Sequence, residues 1–150
     1  MENSILGTGS SPEPPPTDAP AYSLFDSRAV ALATFLGSPL AGCALMGVNY
    51  NRLGNSGAAV RAVVAGVVST GLLLYVSFSI NSSLLNVLPL LLMFLMMRIA
   101  KGLQGDDVEQ HVRQGGKLAS RLSAAGIGIA AMAVVLLVVW ACLGFAPLTS

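Results

Sequence analysis

Charged residues are scarce in this chain of 150 residues. Lys and Arg number 8 and Asp and Glu number 7, so 10% of the chain is charged, against about 25% in an average soluble domain. Hydrophobic residues make up 54%, and the mean hydropathy is +0.73. Composition therefore excludes an ordinary soluble domain, a disordered chain and a nucleic-acid binder that relies on charge. It indicates a multispanning membrane protein.

Residue types that commonly carry catalysis or hold metals are few as well. The chain has 1 His and 2 Cys, too few for a disulfide framework. It contains no catalytic Ser/His/Asp pattern, no Gly-rich phosphate loop after a strand and no HExxH motif. No Asp or Glu falls within the core of an apolar span, which disfavours proton-coupled transport. We therefore expect neither enzymatic activity nor a cofactor or metal.

Four apolar segments are each long enough to suggest one membrane crossing. They cover about residues 27–48, 57–78, 82–99 and 122–145. Residues 1–21 are rich in Pro, Ser and Gly and predict a disordered tail, with a Pro-rich docking ligand as the less favoured alternative. The predicted fold is thus an all-α membrane protein, a bundle of four transmembrane helices formed by residues 22–150.

Small residues recur at four-residue spacing in the first two spans, which favours close helix packing. The predicted packing residues are Gly37, Pro39 and Gly42 in the first span and Ala62 and Gly66 in the second. Pro39 lacks a backbone N–H and predicts a kink within the first span. These two spans are therefore expected to form a close pair.

The distribution of Lys and Arg predicts an orientation. With four crossings, 7 of the 8 basic residues fall at the 49–56 and 100–121 loops and the adjoining helix ends, leaving Arg28 alone on the other side. The positive-inside rule then places both loops in the cytoplasm and both termini outside. Cys43 and Cys142 would lie at different depths, so we expect two free thiols.

Three polar residues are candidates for functional contacts. Asn86 is the one amide in the third span, where hydrogen bonding to a neighbouring helix is favoured over substrate contact. Arg61, near the start of the second span, is expected to extend to the interface, with a buried functional role as the alternative. His111 follows Asp106 and Asp107 in the polar segment, where a solvated amphipathic helix at the membrane surface is favoured over a metal site.

Part of the chain resembles a group of small bacterial membrane proteins without an assigned activity. The resemblance rests on residues 37–42, Gly-Ser-Pro-Leu-Ala-Gly, which are similar to that group's G-[GS]-P-L-A-x-G core, and on an Asn-aromatic-x-x-Leu-Gly loop, here residues 49–54. The segment holding His111, Gly115, Gly116 and Ser120 is similar to that group's second polar loop. The resemblance implies a bacterial inner-membrane location and supplies no substrate, cofactor or catalytic residue.

Two functional hypotheses follow from these observations. The favoured one is a non-enzymatic protein that scaffolds or modulates a membrane partner. The alternative is a small oligomeric transporter or channel, with Pro and Gly as hinges and Asn86 as a polar contact. A lipid-modifying enzyme based on His111 is a distant third. The expected partners are the lipid bilayer and either a membrane protein or further copies of the chain, with no nucleic acid.

Overall fold

The computed structural model describes residues 19–79 and 87–145, with side chains described through residue 142. The described part of the chain is almost entirely helical. Its elements, in chain order, are β1 (Ser23–Leu24), α1 (Ser27–Gly37), α2 (Pro39–Arg52), α3 (Ser56–Ser79), α4 (Leu88–Arg113), β2 (Lys117–Leu118) and α5 (Arg121–Phe145). The predicted tail over 1–21 lies mostly outside the described residues, as do residues 82–86 of the predicted third span.

Three helices, α3, α4 and α5, are long and apolar enough to cross a membrane. The shortest, α3, has 24 residues and so spans ~36 Å at the α-helical rise, against ~30 Å for the hydrocarbon core of a bilayer. α3 and α5 run over nearly the same residues as the predicted spans 57–78 and 122–145. The described part of the chain is thus predominantly helical, and three of its helices could each span a membrane.

The segment predicted as the first span, 27–48, is divided at Ser38. This residue adopts φ 95° and ψ 169°, a conformation that residues with a side chain rarely occupy. Its N–H still donates to the Thr34 carbonyl, and α2 starts directly at Pro39. Pro39 is therefore the first residue of a new helix, where its missing N–H is harmless, and does not kink a continuous one.

α1 and α2 fold back on each other as an antiparallel hairpin. Phe25, just before α1, bonds to Asn49 near the end of α2. Nearer the turn, a Cβ at Gly42 would overlap the Thr34 hydroxyl. The 11 and 14 residues of the two helices measure only ~17 and ~21 Å. The prediction that this segment is one transmembrane crossing is therefore wrong in this structure: the hairpin enters the bundle and returns to the same end.

The hairpin forms most of the hydrophobic core. Its apolar side chains are largely buried, whereas α3, α4 and α5 are buried over only 11–17% of their apolar windows. α3 packs along α2, and α4 and α5 pack chiefly along α1. Within the described residues, the long helices therefore assemble around the hairpin and pack little on one another. The buried apolar residues of the hairpin are Ala29, Val30, Ala31, Ala33, Ala41, Cys43, Leu45 and Met46.

The polar segment 100–121 is only partly a loop. α4 continues without a break through Arg113, so the short separate helix expected at the membrane surface is instead the last part of a 26-residue helix. Met96, Ala100, Gln104 and His111 are buried along one side of it. These residues are four, four and seven positions apart, which places them on one side of a helix. Because that side packs on the rest of the fold, the helix extends through the polar segment.

The chain segment before α1 lies at the same end of the molecule as the basic loops. β1 pairs in parallel with β2, and the Ala119 N–H donates to the Leu24 carbonyl at 2.8 Å. The guanidinium of Arg52 donates to the Ser23 carbonyl. The prediction that this segment lies across the membrane from the 49–56 and 100–121 loops therefore disagrees with the structure, since the hairpin returns the chain to its starting end.

Candidate functional site

Two buried amide side chains join the open end of the hairpin to α4. Asn49 accepts a hydrogen bond from the Phe25 N–H and donates to the Phe25 carbonyl, both at 2.8 Å. It also donates to the Gln104 side-chain oxygen at 3.1 Å, and Gln104 donates to the Met46 carbonyl at 2.9 Å. We call Asn49 and Gln104 the amide latch. Because each amide bonds to a partner, the latch can be buried without the cost of unpaired polar groups.

His111, on the same side of α4 as Gln104, is also buried, with 3% of its surface exposed. Its ring stacks on Tyr22 with centroids 4.9 Å apart, and its Nε2 lies 3.2 Å from the Lys117 carbonyl. A carbonyl can only accept, so Nε2 carries the proton, and the buried Nδ1 has no partner in the described residues. The prediction of a solvated helix does not hold for the His111 side chain, which is buried and contacts Tyr22 and Lys117.

No group of three or more His, Cys, Asp or Glu side chains that could hold a metal ion occurs in the described residues. Cys43 is free and buried in α2, and Cys142 is free and exposed in α5. Neither thiol lies beside His111, since both belong to other parts of the bundle. The contacts that His111 does make are the stack with Tyr22 and the hydrogen bond with Lys117.

The glycines predicted to pack lie at close backbone approaches. A Cβ at Gly37 would overlap the Gly128 carbonyl of α5, and a Cβ at Gly66 would lie 2.6 Å from the Cys43 Cβ. Gly42 faces Thr34 inside the hairpin. Ala62 is half-buried against the core. These small residues let the long helices touch the hairpin backbone, as small residues do between membrane helices.

The turn of the hairpin is held from α3. Thr70, which is buried, accepts a hydrogen bond from the Leu40 N–H at 3.0 Å and lies 3.5 Å from the Ser38 hydroxyl. Leu40 is near the start of α2, where backbone N–H groups lack partners within the helix. Thr70 therefore acts as a cap supplied by another helix, a role more often filled by the residue before the helix.

Open spaces remain between the long helices. A cavity of about 280 Å³ lies at the hairpin turn, and Thr34, Ser38 and Ser77 are among its lining residues. A groove of about 460 Å³ lies between α3 and α4 over the surface of α2, and Arg61 is its single charged residue. Arg61 is exposed and its Nε donates to the Gly57 carbonyl of its own helix at 3.3 Å. Asn86, the remaining candidate, lies outside the described residues.

All eight basic residues lie toward the open end of the hairpin and away from its turn at Ser38. Arg28 now joins that end, because α1 begins there. The ion pair found among the described residues joins exposed Arg113 and Glu109 at 2.5 Å on one face of α4. An exposed pair of this kind adds little stability.

Sequence reasoning missed the amide latch and the Thr70 cap. A signal for the latch was present, because Asn49 continues the four-residue series of Ala41 and Leu45. Gln104 similarly continues the series of Met96 and Ala100. Thr70 continues the four-residue series of Ala62 and Gly66, but its bond to Leu40 depends on the reversal of the chain at Ser38, which the sequence does not reveal.

Comparisons with known proteins identify no relative of this chain. The chain matches no family model, and no curated protein or solved structure is detectably similar to it.

Proposed function

We propose that the protein is a non-enzymatic membrane scaffold that binds and modulates a partner membrane protein through the outer face of α5. The supporting observation is a small-residue ridge on α5 that the fold itself leaves unused. Gly126 is exposed and has no atom within 4 Å of the position where a Cβ would lie, and Ala130, one turn later, is exposed as well. By contrast, Gly128 is buried against Ala33 and Leu36 of α1, and Ala124 is buried as well.

A ridge of this type suits a transmembrane helix as its partner. Small residues four apart permit close backbone approach between helices in lipid, where apolar surface alone provides no drive to associate. Exposed apolar residues further along α5, including Leu136 and Trp140, would extend the contact surface. The rigid hairpin, held by the amide latch and Thr70, supports α5 from its other side.

The proposed orientation places the open end of the hairpin in the cytoplasm. All eight Lys and Arg residues would then lie on that side, as the positive-inside rule requires. Three crossings after a re-entrant hairpin would put the segment before α1 inside and the end of α5 outside. A bacterial inner membrane is the location that the sequence resemblance favours.

The test is purification of the tagged full chain from its own host in mild detergent, with mass spectrometry and a native mass estimate. We expect a second membrane protein in fixed stoichiometry, lost in Gly126→Leu and retained in Val68→Leu, which alters an exposed apolar position on α3. Recovery of the same partner with both variants would contradict the proposed surface.

A small oligomeric transporter or channel is the second candidate. It is favoured by the break at Ser38 and by the cavity at the hairpin turn, because non-helical backbone within a membrane is tolerated where it is buried or lines a cavity. Purification as a lone homo-oligomer, with solute flux in proteoliposomes that falls in Ser77→Ala, would support this candidate over the scaffold.

A further inference from the structure

We propose that the groove between α3 and α4 is a binding site for one anionic phospholipid, with the phosphate at Arg61 and an acyl chain along the groove. The site is independent of the α5 surface and of the proposed partner. Its floor is α2, because α3 and α4 pack on the hairpin and not closely on each other. Its lining residues Ala65 of α3 and Leu103 of α4 are exposed, so the groove is open toward the bilayer.

The groove has the form of a channel for a hydrocarbon chain. The first part, about 460 Å³, is followed by a second of about 330 Å³. The two share Ser69, Met96 and Ile99 in their linings, so they form one continuous depression. Apart from Arg61, Tyr50 and Ser69, the first part is lined by apolar side chains and Cys43. An acyl chain in the groove would contact these apolar side chains in place of neighbouring lipids.

Charge at the mouth of the groove selects an anion. No Asp or Glu lines the groove, and no ion pair of Arg61 occurs in the described residues. One of its five N–H donors bonds to the Gly57 carbonyl, which leaves the guanidinium edge for a ligand. A guanidinium matches the geometry of a phosphate and binds it through paired hydrogen bonds. Tyr50 also lines this part of the groove and carries a hydroxyl that can donate a hydrogen bond.

The length of the groove along α3 is comparable to the thickness of one bilayer leaflet. From Arg61 to Ser69 along α3 is ~12 Å, and continuing to Val76 brings the length to ~22 Å. Half of the hydrocarbon core is ~15 Å thick. A lipid whose phosphate is held by Arg61 near the interface would therefore place its acyl chain within the first part and the start of the second. Since Arg61 lies near the basic end, the lipid would come from the leaflet on that side.

Native mass spectrometry of the detergent-purified full chain tests the site. Phosphatidylglycerol and phosphatidylcholine with identical acyl chains serve as probes, and bound lipid is counted as each is titrated. We expect one phosphatidylglycerol to bind more tightly than phosphatidylcholine. Arg61→Gln should weaken phosphatidylglycerol binding about fivefold, as expected for loss of one cation near the membrane surface, and leave phosphatidylcholine unchanged. Arg121→Gln, an exposed cation at the start of α5, should change neither.

A second variant separates the acyl chain from the headgroup. Ala65→Phe adds a ring within the groove without altering charge, so it should weaken binding of both lipids. Thermal unfolding of each variant checks that the bundle is intact. Equal binding of the two lipids by the unaltered chain, or equal losses in Arg61→Gln and Arg121→Gln, would overturn the proposal. So would unchanged phosphatidylglycerol binding in Arg61→Gln.

Discussion

Asn49 and Phe25 form a closed pair of hydrogen bonds, in which one amide side chain satisfies both the N–H and the carbonyl of Phe25. The pair joins the end of α2 to the residue before α1 and so fixes the antiparallel hairpin. Because it forms at the open end and Thr70 holds the turn, both ends of the hairpin are tied to defined partners.

Removal of the Asn49 amide should destabilise the fold strongly. Asn49→Leu leaves the Phe25 backbone groups and the Gln104 oxygen buried without this partner, at about 1–3 kcal/mol for each unsatisfied group. We expect a loss of about 3 kcal/mol in the free energy of unfolding, measured by denaturation in detergent. Asn51→Leu, at an exposed position of the same helix, should have little effect. Equal stability of the two variants would show that the amide latch contributes nothing.

Glycine at position 38 should stabilise the protein. The positive φ of Ser38 strains a residue with a side chain, whereas glycine adopts it readily. Ser38→Gly is expected to raise stability by about 1 kcal/mol, at the lower end of the range for such strain. Ser38→Val should lower it, because a β-branched residue tolerates this conformation least. A melting temperature that falls in Ser38→Gly would contradict the observed turn.

Close packing of helix backbones predicts different outcomes at two glycines. Gly37→Ala introduces a methyl group that overlaps the Gly128 carbonyl, so α1 and α5 would have to separate. We expect a loss of about 1–3 kcal/mol, typical of overpacking. Gly71→Ala places its methyl group in open space within α3, where alanine favours the helix, so it should be neutral to slightly stabilising. Thermal unfolding of both variants measures the difference, and identical midpoints would rule out the tight α1–α5 contact.

Tyr22 should control how firmly the two short strands are held. Tyr22→Ala removes the ring stacked on His111, although the backbone hydrogen bonds of β1 remain possible. We expect the Ala119 amide, which donates to Leu24, to exchange its hydrogen about tenfold faster, the factor for about 1.4 kcal/mol. Hydrogen exchange measured by mass spectrometry tests this. An unchanged rate at Ala119 would mean that the stack does not anchor β1.

Much of the helical content could be predicted from the sequence, because long apolar runs require helices in a bilayer. The bounds of α3 and α5 agree closely with those of the apolar runs at 57–78 and 122–145. The hairpin could not be predicted in this way, since its reversal depends on one residue, Ser38, in a rare backbone conformation. A span with a kink and a re-entrant hairpin have the same hydropathy. They differ only in tertiary contacts such as those of Thr70 and Asn49.

The polar segment shows a similar limit. Its charges, including Asp106 and Asp107, indicate a solvated region, and those side chains are indeed exposed. On the opposite side of α4, Gln104 and His111 are buried by contacts with the hairpin and β1. The composition of the segment does not separate the exposed side of the helix from the buried side, whereas the helical spacing of its residues does. The burial of His111 could be predicted only with the knowledge that Tyr22 lies at the same end of the fold and stacks on its ring.

The measurement that most directly tests the re-entrant hairpin is the sidedness of single cysteines in sealed membrane vesicles. With Cys43 and Cys142 replaced by Ala, the full chain would carry Ala21→Cys, Ser56→Cys or Ser79→Cys, each at an exposed position. A membrane-impermeant maleimide should label positions 21 and 56 from the same side and position 79 from the other. Labelling of positions 21 and 56 from opposite sides would mean that residues 27–48 cross the membrane, and would contradict the hairpin.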